Sequence, residues 1–426
     1  MLSPEEYLQL VIRNLQPHAL PAVTVDFHEA VDRTLAQDVT AQLNVPPFNN
    51  SAMDGFAVRT VDFSGGPPYV LRVVRDIAAG TREIDGVSSS DAGDGAIDAM
   101  AARIMTGAPV PSWADAVVKI EDTEAPRGAS EAPAQVTIGV KPTAGQNVRF
   151  AGEDVRVGDT VLKAGNTLNA LAISTLVSIG QTRVSVVRQP RVAVISTGSE
   201  LVDPGVVPEF GQIPDSNSVL ISHLAQAAGA QVVGVYRSGD TARSFAQTLE
   251  LAAQDADLIV TSGGVSMGAF DPVKEFGQAH GFTFEKVAMQ PGKPQGHGIY
   301  RGDSGDDVGV LSLPGNPVSV AVSFALFVAP TIAKLLGKEV SEQPELLSAR
   351  AGASWKSPAG RRQYLPGKLT CSRGELEITP IHALGSGSHL VASLAQADAL
   401  AVVEADVDHV AQGDLVNIQL MGVKRW

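Results

Sequence analysis

The sequence predicts a multidomain protein of mixed α/β and β class: a doubly wound α/β domain, a mainly β inserted domain, a small connecting domain and a C-terminal β-barrel-like domain. Three observations predict it. The chain has 426 residues, beyond the size at which one core keeps growing, so it should divide into units of roughly 100 to 150 residues. Its middle alternates β-branched runs with helical stretches, while the regions on either side show short runs broken by Gly, Pro, Ser and Asp. With 44% hydrophobic and 18% charged residues, apolar burial can offset the entropy of ordering the chain.

The segment MLSPEEYLQLVIRNL reads as an amphipathic helix, without the basic flank and apolar run of a secretory signal. Residues 1–16 are grouped with 186–340 as the α/β domain. Residues 17–40 and 159–185 form a discontinuous connecting domain, with a helical apolar pattern over Thr160 to Gly180. Between them, 41–158 reads as mainly β, with runs such as YVLRVVRDI, DAVVKIED and AQVTIGV. From Pro190, RVAVIST, SNSVLISHLAQAAGA, QVVGVYRS, TARSFAQTLELAAQDA and DLIVTSGG repeat strand and helix, which implies a parallel sheet covered on both faces. Val318 to Leu336 is nearly long enough to span a bilayer, but Ser319, Ser323, Pro330 and Lys334 make it a buried core helix. Residues 341–426 return to short strands, RRQYLPGKLT, ELEITPI, ALAVVEAD and LVNIQLMGV. The polar loops 84–98, 124–134 and 302–307 read as solvated connections.

Charge narrows the partners. Asp plus Glu exceed Lys plus Arg by 46 to 32, a formal charge of -14 that repels nucleic acid and anionic membrane surfaces. An anionic small molecule then needs a locally prepared site of backbone amides, helix N-termini, basic side chains or a metal. The single cysteine, Cys371, excludes an intramolecular disulfide and a thiolate-rich zinc site, fits a cytoplasmic location and reads as packing.

In α/β sheets ligands sit beyond the C-terminal strand ends. Three runs here end in polar, glycine-bearing turns, Thr197-Gly198-Ser199-Glu200, Ser262-Gly263-Gly264 and Leu313-Pro314-Gly315-Asn316, which should share one rim. No GxxxxGK[ST] occurs, and no GxGxxG follows a strand. In LPGNPVS, Pro314 and Pro317 fix φ and give up amide donors while Gly315 permits close approach, leaving amides at the helix start to face an anion or simply to make a turn. Asp54, Glu153, Asp154, Glu200, Asp240 and Asp271 lie near element ends, where an acid caps a helix, shapes a turn or holds a hard cation. Lys293, in the rigid turn Gln290-Pro291-Gly292-Lys293-Pro294, suits phosphate or another oxyanion, and Arg149, Arg361 and Arg362 match oxyanion geometry. The histidines show no metal-ligand spacing; His389 stands out only for its Gly-Ser-rich run, where a surface or packing role fits best.

Eight motifs occur in order along nearly the whole chain: PxFxxSAMDGFA (46–57), TGAPVPxxADAVVxxED (106–122), GQNVRxxGED (145–154), STGSEL (196–201), DSNS (215–218), SGGVSMGxxD (262–271), PGKP (291–294) and LPGNPVS (313–319). Together they resemble the MoeA family, to which the E domains of gephyrin and its plant counterpart belong.

The resemblance implies an elongated homodimer whose α/β domain is similar to MogA, the molybdopterin adenylyltransferase. It implies an enzyme, a transferase of molybdenum cofactor biosynthesis, that inserts molybdate into the dithiolene of adenylylated molybdopterin. AMP is released in a step dependent on Mg²⁺ or another divalent cation. By position, Glu200, Asp240 and Asp271 would line the pterin and metal site, with Glu200 and Asp271 as metal ligands. Thr197, Gly198, Ser199, Asp215, Asn217, Ser262, Gly263, Gly264, Pro314, Gly315, Asn316 and Pro317 would bind substrate around the rim, and Lys293 would sit beside phosphate or molybdate. Asp54, Thr106, Arg149 and Asp154 would complete the cleft from the other subunit, and Arg361, Arg362, Ser388 and Ser393 would come from the C-terminal domain. The expected catalytic set is Asp54, Asp154, Glu200, Asp240, Asp271 and Lys293. A MogA-like adenylyltransferase and apo-molybdoenzymes are the implied partners. One departure stands out: the family often reads KPGKP, and here the first basic position is Gln290. The alternatives are a non-catalytic carrier of finished cofactor and a paralogue that inserts tungstate; the acids at Asp54, Asp154, Glu200 and Asp271 favour an enzyme.

Overall fold

A computed structural model describes residues 1–82, 99–126, 128, 130–265, 271–302, 305, 307–341, 346–372, 374–382 and 391–421. The loop read at 84–98 and parts of those at 124–134 and 302–307 lie outside the described residues. The chain forms two compact units, one of Met1–Val23, Asp32–Ala36 and Ser185–Trp426, the other of Thr24–Val31 and Gln37–Val184.

The second unit is built on a five-stranded sheet in the order Ala116–Lys119, Gly55–Val58, Met100–Ile104, Tyr69–Ile77, Gln135–Ile138. Alternation along its strands sorts side chains to two faces. Phe56, Val58, Leu71, Val118 and Ile138 gather in one apolar cluster and Ala57, Ile77, Ile104 and Val117 in another. The stretch read as helical over Thr160 to Gly180 divides instead. Thr160–Leu162 is a strand paired with Val39–Thr40, Gly165 turns at φ +85°, and only Ala170–Ser178 is helical, capped by Asn169. The Asn166 side chain accepts from the Lys163 amide and the Asp38 carboxylate from the Ala164 amide, so the backbone between strand and helix is satisfied by a turn.

The first unit holds a six-stranded sheet in the order Gln231–Ser238, Arg191–Thr197, Leu258–Ser262, Asp307–Leu313, Pro294–Arg301, Thr283–Lys286. The first four strands are parallel; Pro294–Arg301 is antiparallel to both of its neighbours. The sheet is therefore mixed rather than parallel throughout, as the sequence led one to expect, and for a physical reason. Arg301 pairs with Asp307, and so short a connection can close a hairpin but cannot cross over to a parallel strand. Val192 and Val194 face the core shared with helices Pro4–Leu15, Ser216–Ala227 and Pro317–Leu335, while Ala193 and Ile195 face Ala242–Ala253 and Pro272–Ala279. The Pro317–Leu335 helix is long and apolar enough to cross a membrane, yet 72% of its most apolar window is buried inside the protein, as in a core helix. Within it Phe324–Val328 is a π-helical turn.

The N-terminal helix starts in a capping box between Ser3 and Glu6 and docks through Tyr7 and Val11. His297, 1% exposed, meets the Tyr7 hydroxyl through Nδ1 at 3.2 Å and the Asn14 carboxamide through Nε2 at 2.9 Å. Burial pushes its pKa down to about 4, so the ring is neutral at physiological pH.

In the C-terminal region Arg362–Ser372, Glu375–Pro380, Leu347–Ala351, Leu415–Leu420 and Ala399–Val403 pair in turn, and the last returns to the first, closing a five-stranded barrel. Met289–Gln290 adds to Arg362–Ser372 in parallel, and the Arg362 amide donates to Ala288 O at 2.9 Å. That pairing delivers the start of the barrel to the rim of the α/β sheet. Cys371, expected to pack, is exposed.

Candidate active site

The three turns share one rim, because Arg191–Thr197, Leu258–Ser262 and Asp307–Leu313 are adjacent and in register, with Ser196 opposite Ser262 and Ser262 opposite Leu313. Gly263 and Gly264 have φ of +87° and +74°, and a Cβ on Gly263 would lie 2.7 Å from Thr197 Oγ1, so only glycine lets the chain turn there. Thr197 Oγ1 donates to Ser262 O at 3.3 Å. Asp215 caps helix Ser216–Ala227, accepting from the Ser218 amide at 3.0 Å, and thereby sets Asn217 at the helix start. From there Asn217 Nδ2 donates to Ser262 Oγ at 2.8 Å and to Gly315 O at 2.6 Å, tying two turns together.

Carboxylates flank this rim. Asp271, 7% exposed, caps helix Pro272–Ala279 by accepting from the Lys274 amide at 3.2 Å. A Cβ on Gly264 would be 3.2 Å from its Oδ1, so cap and rim positions coincide. Glu200 is exposed and folds over Gly198, whose Cβ would stand 2.4 Å from Oε2. Asp240 accepts from the Ser199 amide at 3.2 Å. Among the described residues no three His, Cys, Asp or Glu side chains form a metal cluster. Two hard carboxylates on one rim fit Mg²⁺, which takes one or two acids and completes its shell with substrate oxygens and water.

Beside the rim lies a cavity of about 430 Å³ lined by Gly263, Gly264, Gln290, Lys293, Pro314, Gly315, Asn316, Ser319 and Arg361, among others. Asn316 and Pro317 begin the long helix there, so the amides of Val318 and Ser319 lack intrahelical acceptors. The Lys293 carbonyl accepts from the Val287 amide at 2.8 Å, which pins the turn carrying the cation. Ser319 and Gln290, absent from the residues expected to bind, both line this cavity; Ser319 was legible as the last residue of LPGNPVS, in the first turn of the helix. Arg362 does not line it. Its guanidinium pairs with Glu5 and with Glu404, the latter at 2.9 Å. Burial works against its charge, but Tyr364 and Glu5 together hold its pKa above the ordinary value. Ser388 and His389 lie outside the described residues, and Ser393 falls on the short helix Val391–Leu394.

In the other unit Asp54, Arg149 and Asp154 are each exposed. Asp54 accepts from the Thr106 amide and hydroxyl, both at 2.7 Å, and these bonds hold its carboxyl below the usual range. The strand Asn50–Ser51 pairs with Val148–Arg149, placing Arg149 beside Asn50. The Asp154 amide donates to Val45 O at 3.0 Å, leaving its carboxylate exposed.

Comparison with known proteins agrees with these features. Residues 2–180 match the MoeA N-terminal region (domain I and II), 193–334 a probable molybdopterin binding domain, and 348–421 the MoeA C-terminal region (domain IV). The chain is 39% identical to molybdopterin molybdenumtransferase 2 of Mycobacterium tuberculosis, over 98% of this chain and 99% of that one. It is 34% identical to molybdopterin molybdenumtransferase of Haemophilus influenzae, over 93% of each. The structure of the molybdopterin biosynthesis MoeA protein from Pyrococcus horikoshii superposes with a TM-score of 0.78 at 29% identity, over 99% of both chains. With family models matching from one end of the chain to the other and a glycine-built rim on an α/β sheet, the chain belongs to the MoeA family.

Proposed function

We propose that this chain is a molybdopterin molybdenumtransferase, which inserts molybdate into the dithiolene of adenylylated molybdopterin with release of AMP. The observation that carries this reading is the cavity at the sheet's C-terminal edge. There Lys293, Arg361 and the first amides of the long helix converge beside a rim bearing Glu200 and Asp271. A tetrahedral dianion is held by such a set through charge and amide donors together. Glu200 and Asp271 would hold Mg²⁺, which when bound supplies positive charge to the pyrophosphate bridge. The remaining work is positioning: Asn217 fastens two turns of the rim, and Asp240 holds the Ser199 amide. No protein nucleophile is needed, since the sulfur ligands belong to the pterin.

The exposed Asp54–Thr106 pair, with Arg149 and Asp154, is read as the part of a cleft that a second copy completes, in a homodimer that works in the cytoplasm. A MogA-like adenylyltransferase would supply the substrate and apo-molybdoenzymes would receive the product. We propose four modules, with boundaries at 17–40 with 159–185, 41–158, 1–16 with 186–340, and 341–426.

Insertion in vitro tests the reading. Adenylylated molybdopterin, molybdate and Mg²⁺ are supplied to wild type and to Asp271→Asn, which keeps the helix cap but removes the charge. AMP release and reconstitution of an apo-molybdoenzyme should both fall by about 100-fold or more in the variant, with unchanged thermal stability. Tight pterin binding by the wild type without AMP release would make the protein a carrier instead. Equal activity of the variant would remove Asp271 from the metal site.

A further inference from the structure

Gln295 is 1% exposed, and its Nε2 donates to Gly292 O at 2.6 Å and to Ser323 Oγ at 2.6 Å. A carbonyl only accepts, so the amide nitrogen must face Gly292, and its two N–H groups can serve both partners at once. The turn is pressed against the helix. Gly292 has φ of +100°, and a Cβ there would come within 2.9 Å of Met289 Cε and 3.0 Å of Ser323 Oγ. Ser323, 0% exposed, is the last residue before the π-helical turn of the long helix, a feature often found at functional sites. One buried carboxamide therefore ties the backbone just before Lys293 to the helix whose start, at Asn316 and Ser319, lines the same cavity.

We propose that Gln295 is a positioning residue for oxyanion capture: it fixes Lys293 against the helix start and acts through that lysine. The inference rests on the reading of the cavity as the molybdate site. Two neutral hydrogen bonds add little net stability, and an apolar side chain of similar size would fill the same space. What the polar pair adds is direction. With neutral Gln290 at the neighbouring cavity position, Lys293 is the only lysine of the turn, and displacement of a reacting or binding group by about 1 Å can cost 100-fold.

The test is the insertion assay with molybdate varied at saturating adenylylated molybdopterin, using Gln295→Met, Lys293→Ala, the double variant and Ser323→Ala. Gln295→Met, which keeps bulk and loses both donors, should raise the KM for molybdate about tenfold while kcat stays within about twofold. The KM for the pterin should not move. The double variant should be no worse than Lys293→Ala, and Ser323→Ala should shift the molybdate KM in the same direction by less. An unchanged molybdate KM in Gln295→Met, or its full effect added on top of Lys293→Ala, would overturn the inference while leaving the site reading intact. No response to Lys293→Ala would instead sink the site reading. Should Gln295→Met not fold, Ser323→Ala decides by the same criterion, since it keeps the Gly292 bond.

Discussion

The two ends of the six-stranded sheet both carry cations and both border a cavity, yet they differ in what the cations face. At the N-terminal end a space of about 270 Å³ is lined by Arg191, Asp257, Leu258, Gly309 and the end of the N-terminal helix. Its charge is consumed internally: Asp257 accepts from Arg188 at 2.8 and 2.9 Å, and from Arg191 through the backbone amide at 2.7 Å and the side chain at 3.2 Å. Burial alone would raise the Asp257 pKa, but the bonds from Arg188 and Arg191 outweigh it and hold it below the usual carboxylate range. At the C-terminal end, Lys293 and Arg361 line the cavity and, among the described residues, form no ion pair. Counting charges does not separate the two ends; asking which charges lack a partner does.

Asp257→Ala should produce the largest effect. It removes the acceptor of the hydrogen bonds from Arg188 and Arg191, so urea unfolding should show a loss of about 3 kcal/mol, most of it from those bonds because both guanidiniums stay partly solvated. Insertion activity of the folded fraction should be unchanged; a large loss of activity with little loss of stability would erase the distinction between the ends. The strand Pro294–Arg301 leads away from the site and offers a second check at His297. Its folded pKa of about 4 lies below the ordinary 6.5, so the native state binds fewer protons than the unfolded one between those values. Stability is therefore full above pH 6.5 and falls as pH drops toward 4, by about 2 to 3 kcal/mol. Thermal melts of wild type and His297→Gln across that window should show the variant losing this slope; parallel curves would remove His297 as the source. The smallest effect sharpens the comparison within two adjacent residues. Arg361→Ala should raise the molybdate KM about tenfold, whereas Arg362→Ala should leave it within about twofold and lower stability through Glu5 and Glu404. Equal shifts in molybdate KM would contradict the assignment.

The rim was legible because the β-branched runs end in glycine-bearing turns, and parallel strands place such ends together. The hairpin after Pro294 was not, although the 302–307 loop was seen: the sequence marks a loop but not the direction of the strand that follows. Arg361 and Arg362 look alike in sequence, but Arg361 ends a turn while Arg362 opens the strand paired with Met289–Gln290, and that turn-to-strand boundary decides which meets the cavity. Gln295 escaped notice for a related reason. A polar residue in a buried strand signals a partner but not its identity, and Ser323 lies 28 positions away.

The most direct test of where the oxyanion binds is anomalous diffraction at the molybdenum edge from crystals equilibrated with molybdate. The account predicts a peak in the cavity between Lys293, Arg361 and the amides of Val318 and Ser319, absent from crystals of Lys293→Ala. A peak at the Arg191 end of the sheet, or one in the expected cavity that survives Lys293→Ala unchanged, would contradict it.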